Sequence, residues 1–129
     1  MNLERAQESL QATNLCLQAG YVSSAASRAY YAMFQAAQAA LEAAGFTRAF
    51  WGHAVLQATF TAELIARRKI YPSGLRDHLS TALRVRQRAD YGASGISQKV
   101  AQRMLRKATT FVAAVEGRPY NDEISGIPN

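Results

Sequence analysis

The sequence predicts an all-α fold, a helical bundle of about five helices. Nearly half of the residues (49%) are apolar, and alanine, the residue with the highest helix propensity, is used heavily. Runs of β-branched residues are few, which disfavours strands. Five stretches with helical periodicity are separated by Gly or Pro. A chain of 129 residues suffices for one core but not for two, so we expect a single domain.

The first two helices follow from periodicity and from their end signals. The first is expected at Leu3–Gln18, where apolar or small residues recur at helical spacing. Ser23 or Ser24 can cap the second helix, which should run to about Ala44 and stop at Gly45. This second helix is apolar around most of its circumference, with one narrow polar stripe. Such a pattern is typical of the central member of a bundle.

An aromatic connection, Gly45–Gly52, leads to the third helix. Its aromatic side chains are expected either to pack onto the bundle or to form part of an interface. The third helix should run from about His53 to Lys69. Its buried stripe comprises Leu56, Phe60 and Leu64. His53 falls on the same predicted face, where a histidine is most often a core or capping residue.

The last two helices are bounded by proline, serine and glycine. Pro72 breaks the chain, and Ser73 can cap a fourth helix that runs to about Asp90. The fifth helix, roughly Ser97–Glu116, shows the clearest periodicity, and its outer face carries a basic ridge. We define the basic ridge as Lys99, Arg103, Arg106 and Lys107. Residues 1–117 are thus expected to form the bundle, and residues 118–129 a mobile C-terminal tail.

Three arginines at alternate positions of the fourth helix differ in direction. Arg86 projects onto the apolar face, whereas Arg84 and Arg88 point the opposite way. Asp90 lies four residues after Arg86, within reach of an ion pair. Because an unpaired guanidinium is costly to bury, two interpretations stay open: a structural Arg–Asp pair, or a polar cleft that holds phosphate.

Charge is distributed unevenly along the chain. Residues 67–107 hold eleven Lys or Arg against two Asp, a net charge of +9, whereas residues 1–66 and 108–129 carry −1 and −2. Such a concentrated positive surface is the usual electrostatic footprint of a protein that binds polyanions. The alternative is a solvated helix face that keeps the protein soluble.

Several classes of site are disfavoured by the sequence. A lone Cys16 excludes an internal disulfide, and no Cys/His cluster has zinc spacing. Nothing indicates a nucleophile–base pair or a carboxylate dyad, so we expect neither a metal nor a cofactor. The first 19 residues are too polar for a signal peptide or a membrane span. We therefore expect a cytoplasmic protein that does not contact membranes.

Two motifs resemble those of a known family. The segments Ser27-Arg-Ala-Tyr-Tyr-Ala-Met-Phe34 and Arg86-Gln-Arg-Ala-Asp-Tyr91, with Gly45 and His53 between them, are similar to those of prokaryotic HEPN-domain proteins. The similarity covers about Leu3–Glu116. It implies an up-and-down helical bundle that dimerises and that works on RNA or nucleotides. It also implies a possible minimal nucleotidyltransferase as partner, in a toxin–antitoxin-like pair.

The second motif departs from the catalytic members of that family. These are metal-independent ribonucleases with Arg-x4–6-His, whereas this chain has Tyr91 five residues after Arg86. Tyrosine, with a pKa near 10, can donate a hydrogen bond to phosphate but is a poor base at neutral pH. Arg48 and His53 also have the spacing Arg-x4-His. They lie before the third helix rather than at the position of the family's catalytic motif, and we attribute their spacing to chance.

Three functions follow as hypotheses. The first is a dimeric RNA- or nucleotide-binding module that works with a nucleotidyltransferase. The second is a metal-independent ribonuclease with a degenerate motif, for which the catalytic candidates are Arg86, Tyr91 and His53. The third is a non-catalytic dimerisation or interaction subunit. The residues expected to bind RNA or nucleotide are Arg84, Arg86, Arg88, Asp90, Tyr91, Arg103, Arg106 and Lys107.

Overall fold

The chain folds as a bundle of five helices. A computed structural model describes residues 2–91 and 95–117, and no strand occurs in these ranges. The helices are α1 (Asn2–Gln18), α2 (Val22–Ala43), α3 (His53–Thr59), α4 (Gly74–Tyr91) and α5 (Gln98–Val115), and α3 continues as a π-helical segment, Phe60–Arg67. The predicted all-α bundle is confirmed. The predicted tail, residues 118–129, lies outside the described residues.

Helix α2 is the centre of the bundle, as its apolar circumference predicted. It packs against each of the other four helices. Its fully buried alanines are Ala25, Ala29, Ala32, Ala36 and Ala37. Because these side chains end at a methyl group, the neighbouring helices can approach α2 closely. Asn2 Nδ2 donates to Glu42 Oε2 at 2.9 Å, so the start of α1 meets the end of α2 and the two helices are antiparallel.

The inner face of α1 is more polar than its periodicity predicted. Ser9 and Thr13 are buried there, whereas Leu10 is only partly buried. The Ser9 hydroxyl lies 2.7 Å from the side-chain amide of Gln35 on α2, and Thr13 Oγ1 donates to the Ser9 carbonyl at 2.8 Å. The two hydroxyls are hydrogen-bonded, so their burial is tolerated.

The serine cap predicted for α2 is wrong. The helix begins at Val22, and Tyr21, in the N-cap position, makes no side-chain capping bond. Gly20, at a φ of +86°, closes α1 in a tight turn in which Tyr21 N–H donates to the Cys16 carbonyl at 2.8 Å. That turn starts α2 before either serine. At the start of α5, Ser97 caps the helix, because its Oγ accepts from the N–H of Val100 at 3.1 Å.

The aromatic connection between α2 and α3 divides into two parts. Trp51 is buried in the core, and the partly buried Phe46 packs against the same core. Phe50, in contrast, is 79% exposed. The predicted stripe of α3 is confirmed, since Leu56, Phe60 and Leu64 are all buried. The core or capping role predicted for His53 is wrong. This residue is exposed, it is the first residue of α3, and Gly52 is the N-cap.

Candidate nucleic-acid site

One face of the N-terminal half of α2 forms the floor of the candidate site. Ser27, Tyr30, Tyr31 and Phe34 follow the spacing i, i+3, i+4, i+7, which places them in one row on a helix. The last turns of α4 and the first turn of α3 are brought over this row by the packing of the bundle. They contribute Arg86, Asp90 and His53. We call these seven residues the Arg86 cluster.

Arg86 lies against two aromatic rings. Its guanidinium carbon is 5.0 Å from the centre of the Tyr31 ring and 5.8 Å from that of Tyr30, distances at which a cation and an aromatic face attract. Its Nε lies 3.5 Å from Asp90 Oδ2, and the two side chains are 23% and 33% exposed. That distance allows an ion pair but is too long for a good hydrogen bond. The buried Nε therefore has no hydrogen-bond partner.

Asp90 connects the two helices of the site. Ser27 Oγ on α2 donates to Asp90 Oδ1 at 3.3 Å, while the other carboxylate oxygen faces Arg86. The predicted proximity of Arg86 and Asp90 is thus confirmed. Because both side chains keep contact with solvent, part of the guanidinium fork stays available to a ligand.

His53 is held by the phenol of Tyr30. The two groups are 2.5 Å apart, from Nδ1 to the hydroxyl oxygen, and the imidazole also packs edge-on against Phe34 at 5.3 Å between ring centres. Burial raises the pKa of Tyr30, an effect that the nearby Arg86 opposes. Desolvation lowers the pKa of His53, and the charge of Arg86 lowers it further. At neutral pH both groups are therefore uncharged.

The tautomer of His53 follows from this contact. Tyr30 is buried, and its O–H is satisfied when it donates to Nδ1 of His53. A neutral imidazole that accepts at Nδ1 carries its proton on Nε2. His53 then presents an N–H donor at neutral pH, which suits contact with an anion better than removal of a proton.

The other predicted cationic residues lie on the surface, outside the Arg86 cluster. Arg84 and Arg88 are exposed on α4, as predicted. In the basic ridge Lys99, Arg103 and Arg106 are exposed, and Lys107 is partly buried. Lys107 lies near His78, whose pKa is lowered first by burial and then by this charge. The side chain of Tyr91 lies outside the described residues.

Sequence reasoning missed the aromatic half of the site. The sequence places Tyr30, Tyr31 and Phe34 in the family motif, on a largely apolar helix, and it indicates no contact between them and Arg86 or His53. Their row spacing was visible, but it cannot be separated from an ordinary buried stripe without the positions of α3 and α4.

The fold and this cluster define a class of protein, a small helical bundle with an arginine-centred polar site. A family model described as the HEPN domain matches residues 2–118. The chain therefore belongs to the HEPN-domain family, as the resemblance implied, and this membership indicates an RNA- or nucleotide-related function. No curated protein matches the sequence. Within the described residues, no helix is both long enough and apolar enough to span a membrane.

Proposed function

We propose that this protein binds RNA or a nucleotide through a phosphate group held at the Arg86 cluster. The observation that carries the proposal is the state of Arg86. Its guanidinium is held by an aromatic ring and a carboxylate, and its buried Nε has no hydrogen-bond partner. Arginine can donate to two phosphate oxygens at once, and the Arg86 side chain is 23% exposed, so a phosphate can supply acceptors that the described side chains do not provide.

The competing interpretation is a purely structural pair of Arg86 and Asp90. Both residues lie on α4, so their ion pair does not itself join two helices. A buried pair offsets its desolvation only when its geometry and hydrogen bonds are close. Here the separation is 3.5 Å and neither side chain is fully buried. The geometry therefore favours a site that can accept a ligand over a closed structural pair.

His53 adds a second contact for the phosphate. With Nδ1 occupied by Tyr30, its Nε2–H is free to donate to an anion. A neutral imidazole also avoids repulsion with Arg86, whose charge lowers the His53 pKa. The family's association with RNA and nucleotides supports this assignment.

The basic ridge, together with Arg84 and Arg88 on α4, extends the proposal from one phosphate to a chain of phosphates. Exposed cations attract a polyanion over several ångströms and release its counterions on contact. Arg84, Arg88, Arg103 and Arg106 are exposed. This distribution favours RNA over a single nucleotide as the natural ligand.

A metal-independent ribonuclease is the second candidate function. One observation favours it: His53 and Arg86 both contact the ring of Tyr30, although they are distant in sequence. Arg86 could stabilise the negative charge that develops on the oxygens of the phosphorane, and His53 could move a proton. RNA cleavage that yields 2′,3′-cyclic phosphate ends, and that is lost in His53→Gln, would establish this activity.

We further propose a homodimer, with a nucleotidyltransferase as a possible partner protein. Phe50 is 79% and Val55 43% exposed, and both lie within three residues of His53. Exposed apolar side chains at one end of a small bundle favour an interface beside the site. Co-purification with the product of a neighbouring nucleotidyltransferase gene tests the partner. A protein that dimerises but binds neither RNA nor nucleotides would instead support the third hypothesis, a non-catalytic dimerisation or interaction subunit.

The proposed phosphate site is tested by one pair of variants. Arg86→Gln removes the charge, and Arg76→Gln is the control, because Arg76 is an exposed arginine on the same helix. Fluorescence anisotropy with a labelled single-stranded RNA should show about tenfold weaker binding for Arg86→Gln, the loss expected for one charge-assisted contact. Unchanged binding by a folded Arg86→Gln protein would refute the assignment.

A further inference from the structure

The ring of Tyr31 is approached by two guanidinium groups. The guanidinium carbon of Arg28 lies 4.9 Å from the ring centre, and that of Arg86 lies 5.0 Å from it. The two cations are therefore separated by no more than the sum of these distances, just under 10 Å. Two positive charges at this separation repel each other, and an anion between or beside them removes the repulsion.

The two arginines differ in their partners. Asp90 pairs with Arg86, whereas no carboxylate within the described ranges lies at salt-bridge distance from Arg28. Arg28 is nevertheless partly buried. Its packing on Tyr31 holds the guanidinium plane in place, which leaves the N–H donors along the edge of that plane for a ligand.

A cavity connects Arg28 with the Arg86 cluster. It has a volume of about 420 Å³, and its lining comprises Cys16, Ser23, Ser24, Ser27, Arg28 and Asp90. Asp90 belongs both to this cavity and to the ion pair with Arg86, so the two spaces adjoin. The serine hydroxyls can donate to phosphate oxygens or accept from a sugar hydroxyl.

We propose that Arg28 and Arg86 together bind two adjacent phosphate groups of one ligand. The cavity beside Arg28 then holds the nucleotide unit that is attached to the first phosphate. This inference rests on the proposed function, since it extends the phosphate site at Arg86 by a second one. Each guanidinium contacts its own phosphate through its planar fork. Tyr31, which both groups contact, keeps them less than 10 Å apart.

Two adjacent phosphates can come from an internucleotide step of RNA or from a nucleoside diphosphate. Three probes distinguish these sources: 5′-phosphorylated diuridylate, uridine diphosphate and uridine monophosphate. We expect the diuridylate to bind more tightly than the monophosphate, because the cavity beside Arg28 has room for a nucleotide. A gain for the diphosphate alone would assign the site to a nucleoside diphosphate.

Isothermal titration of the full chain with these probes tests the two-phosphate site. Arg28→Gln should lower the affinity for the diuridylate by about tenfold and leave the affinity for the monophosphate unchanged. Arg86→Gln should lower the affinity for both probes. Arg76→Gln, an exposed arginine at the start of α4, should change neither. Arg28→Lys keeps the charge but loses the fork, so it should fall between wild type and Arg28→Gln.

The titrations separate a failure of the two-phosphate assignment from a failure of the proposed function. If Arg28→Gln weakens the monophosphate as much as the diuridylate, both arginines bind one phosphate and the two-phosphate assignment is wrong. If only Arg86→Gln weakens binding, Arg28 is not part of the site and the proposed function stands without this extension. If Arg86→Gln has no effect on any probe, the proposed function fails as well. Thermal melting shows which variants are folded, and Arg28→Lys decides the question should Arg28→Gln unfold.

Discussion

The imidazole Nδ1 of His53 lies 2.5 Å from the phenol oxygen of Tyr30, so the exposed first residue of α3 is oriented by a buried residue of α2. This contact joins the solvent-facing side of the site to the core. It also determines which nitrogen of His53 is left to meet a ligand.

Tyr30→Phe should release His53 with little loss of stability. The phenylalanine keeps the ring packed and removes one hydrogen bond, which typically contributes about 0.5–1.5 kcal/mol. Nitrogen chemical shifts of His53 should change from a single Nε2–H tautomer to a mixture, and RNA affinity should fall. Tyr21→Phe, at an exposed position, is the control. A His53 tautomer unaffected by Tyr30→Phe would contradict the contact.

Stability should decrease in mild acid. The pKa values of His53 and His78 are lowered in the folded chain, so below about pH 6.5 the unfolded chain takes up protons that the folded chain does not. The free energy of unfolding should therefore decrease as the pH falls from 7.5 to 5.5. His53→Gln and His78→Gln should each flatten this dependence, measured by urea denaturation. An unchanged slope in the double variant would show that other groups cause it.

Arg86→Ala should leave a folded protein that has lost its ligand. Because the ion pair with Asp90 is partly exposed, we expect a loss of about 1–2 kcal/mol from the pair and the aromatic contact. A fully buried pair would cost roughly 3–5 kcal/mol. The double change Arg86→Met with Asp90→Leu should restore stability without restoring binding. Thermal melting and RNA titration on the same samples check both; undiminished binding would exclude a cleft at Arg86.

RNA affinity should fall steeply with salt if the surface cations contact phosphates. For single-stranded RNA each contact contributes roughly 0.7 to the slope of log affinity against log salt concentration. The variants to compare are Arg84→Gln, Arg88→Gln, Lys99→Gln, Arg103→Gln, Arg106→Gln and Lys107→Gln. Each should flatten the slope by that amount if its cation touches the backbone. Salt-independent affinity would exclude the basic ridge as a binding surface.

The proposed dimer should be visible by sedimentation at tens of micromolar protein. Phe50→Ser should shift the equilibrium toward the 14.1 kDa monomer, because a phenylalanine that is 79% exposed has most of its ring available to another molecule. Leu15→Ser, at an exposed position on α1, is the matched control. A wild-type protein that sediments only as a monomer would refute the dimer.

The sequence predicted those features that depend on local spacing. The buried stripe of α3 and the inward direction of Arg86 follow from a period of 3.6 residues. The same projection failed for His53, because the first residue of a helix can extend beyond the core that its later turns bury. The widened turns of Phe60–Arg67 also escaped prediction, since a π-helical register depends on packing against neighbouring helices rather than on residue type.

The contacts that Arg86, Asp90 and His53 make with α2 could not be predicted, because they join residues from different helices. Tyr31 meets Arg86, and Ser27 meets Asp90, only when α4 lies across α2. The apolar pattern of α2 concealed this role, since a tyrosine that packs under a guanidinium and a tyrosine in the core have the same periodicity.

The buried alanines of α2 also affect how fast a ligand can enter. Tyr31 and Arg28 project from a helix that packs against all the others, so packing on every side opposes local unfolding of the backbone at these residues. Ligand entry should then need only rotations of side chains, which take picoseconds to nanoseconds at exposed positions. Association should therefore be limited by diffusion and electrostatic steering, without a slow conformational gate.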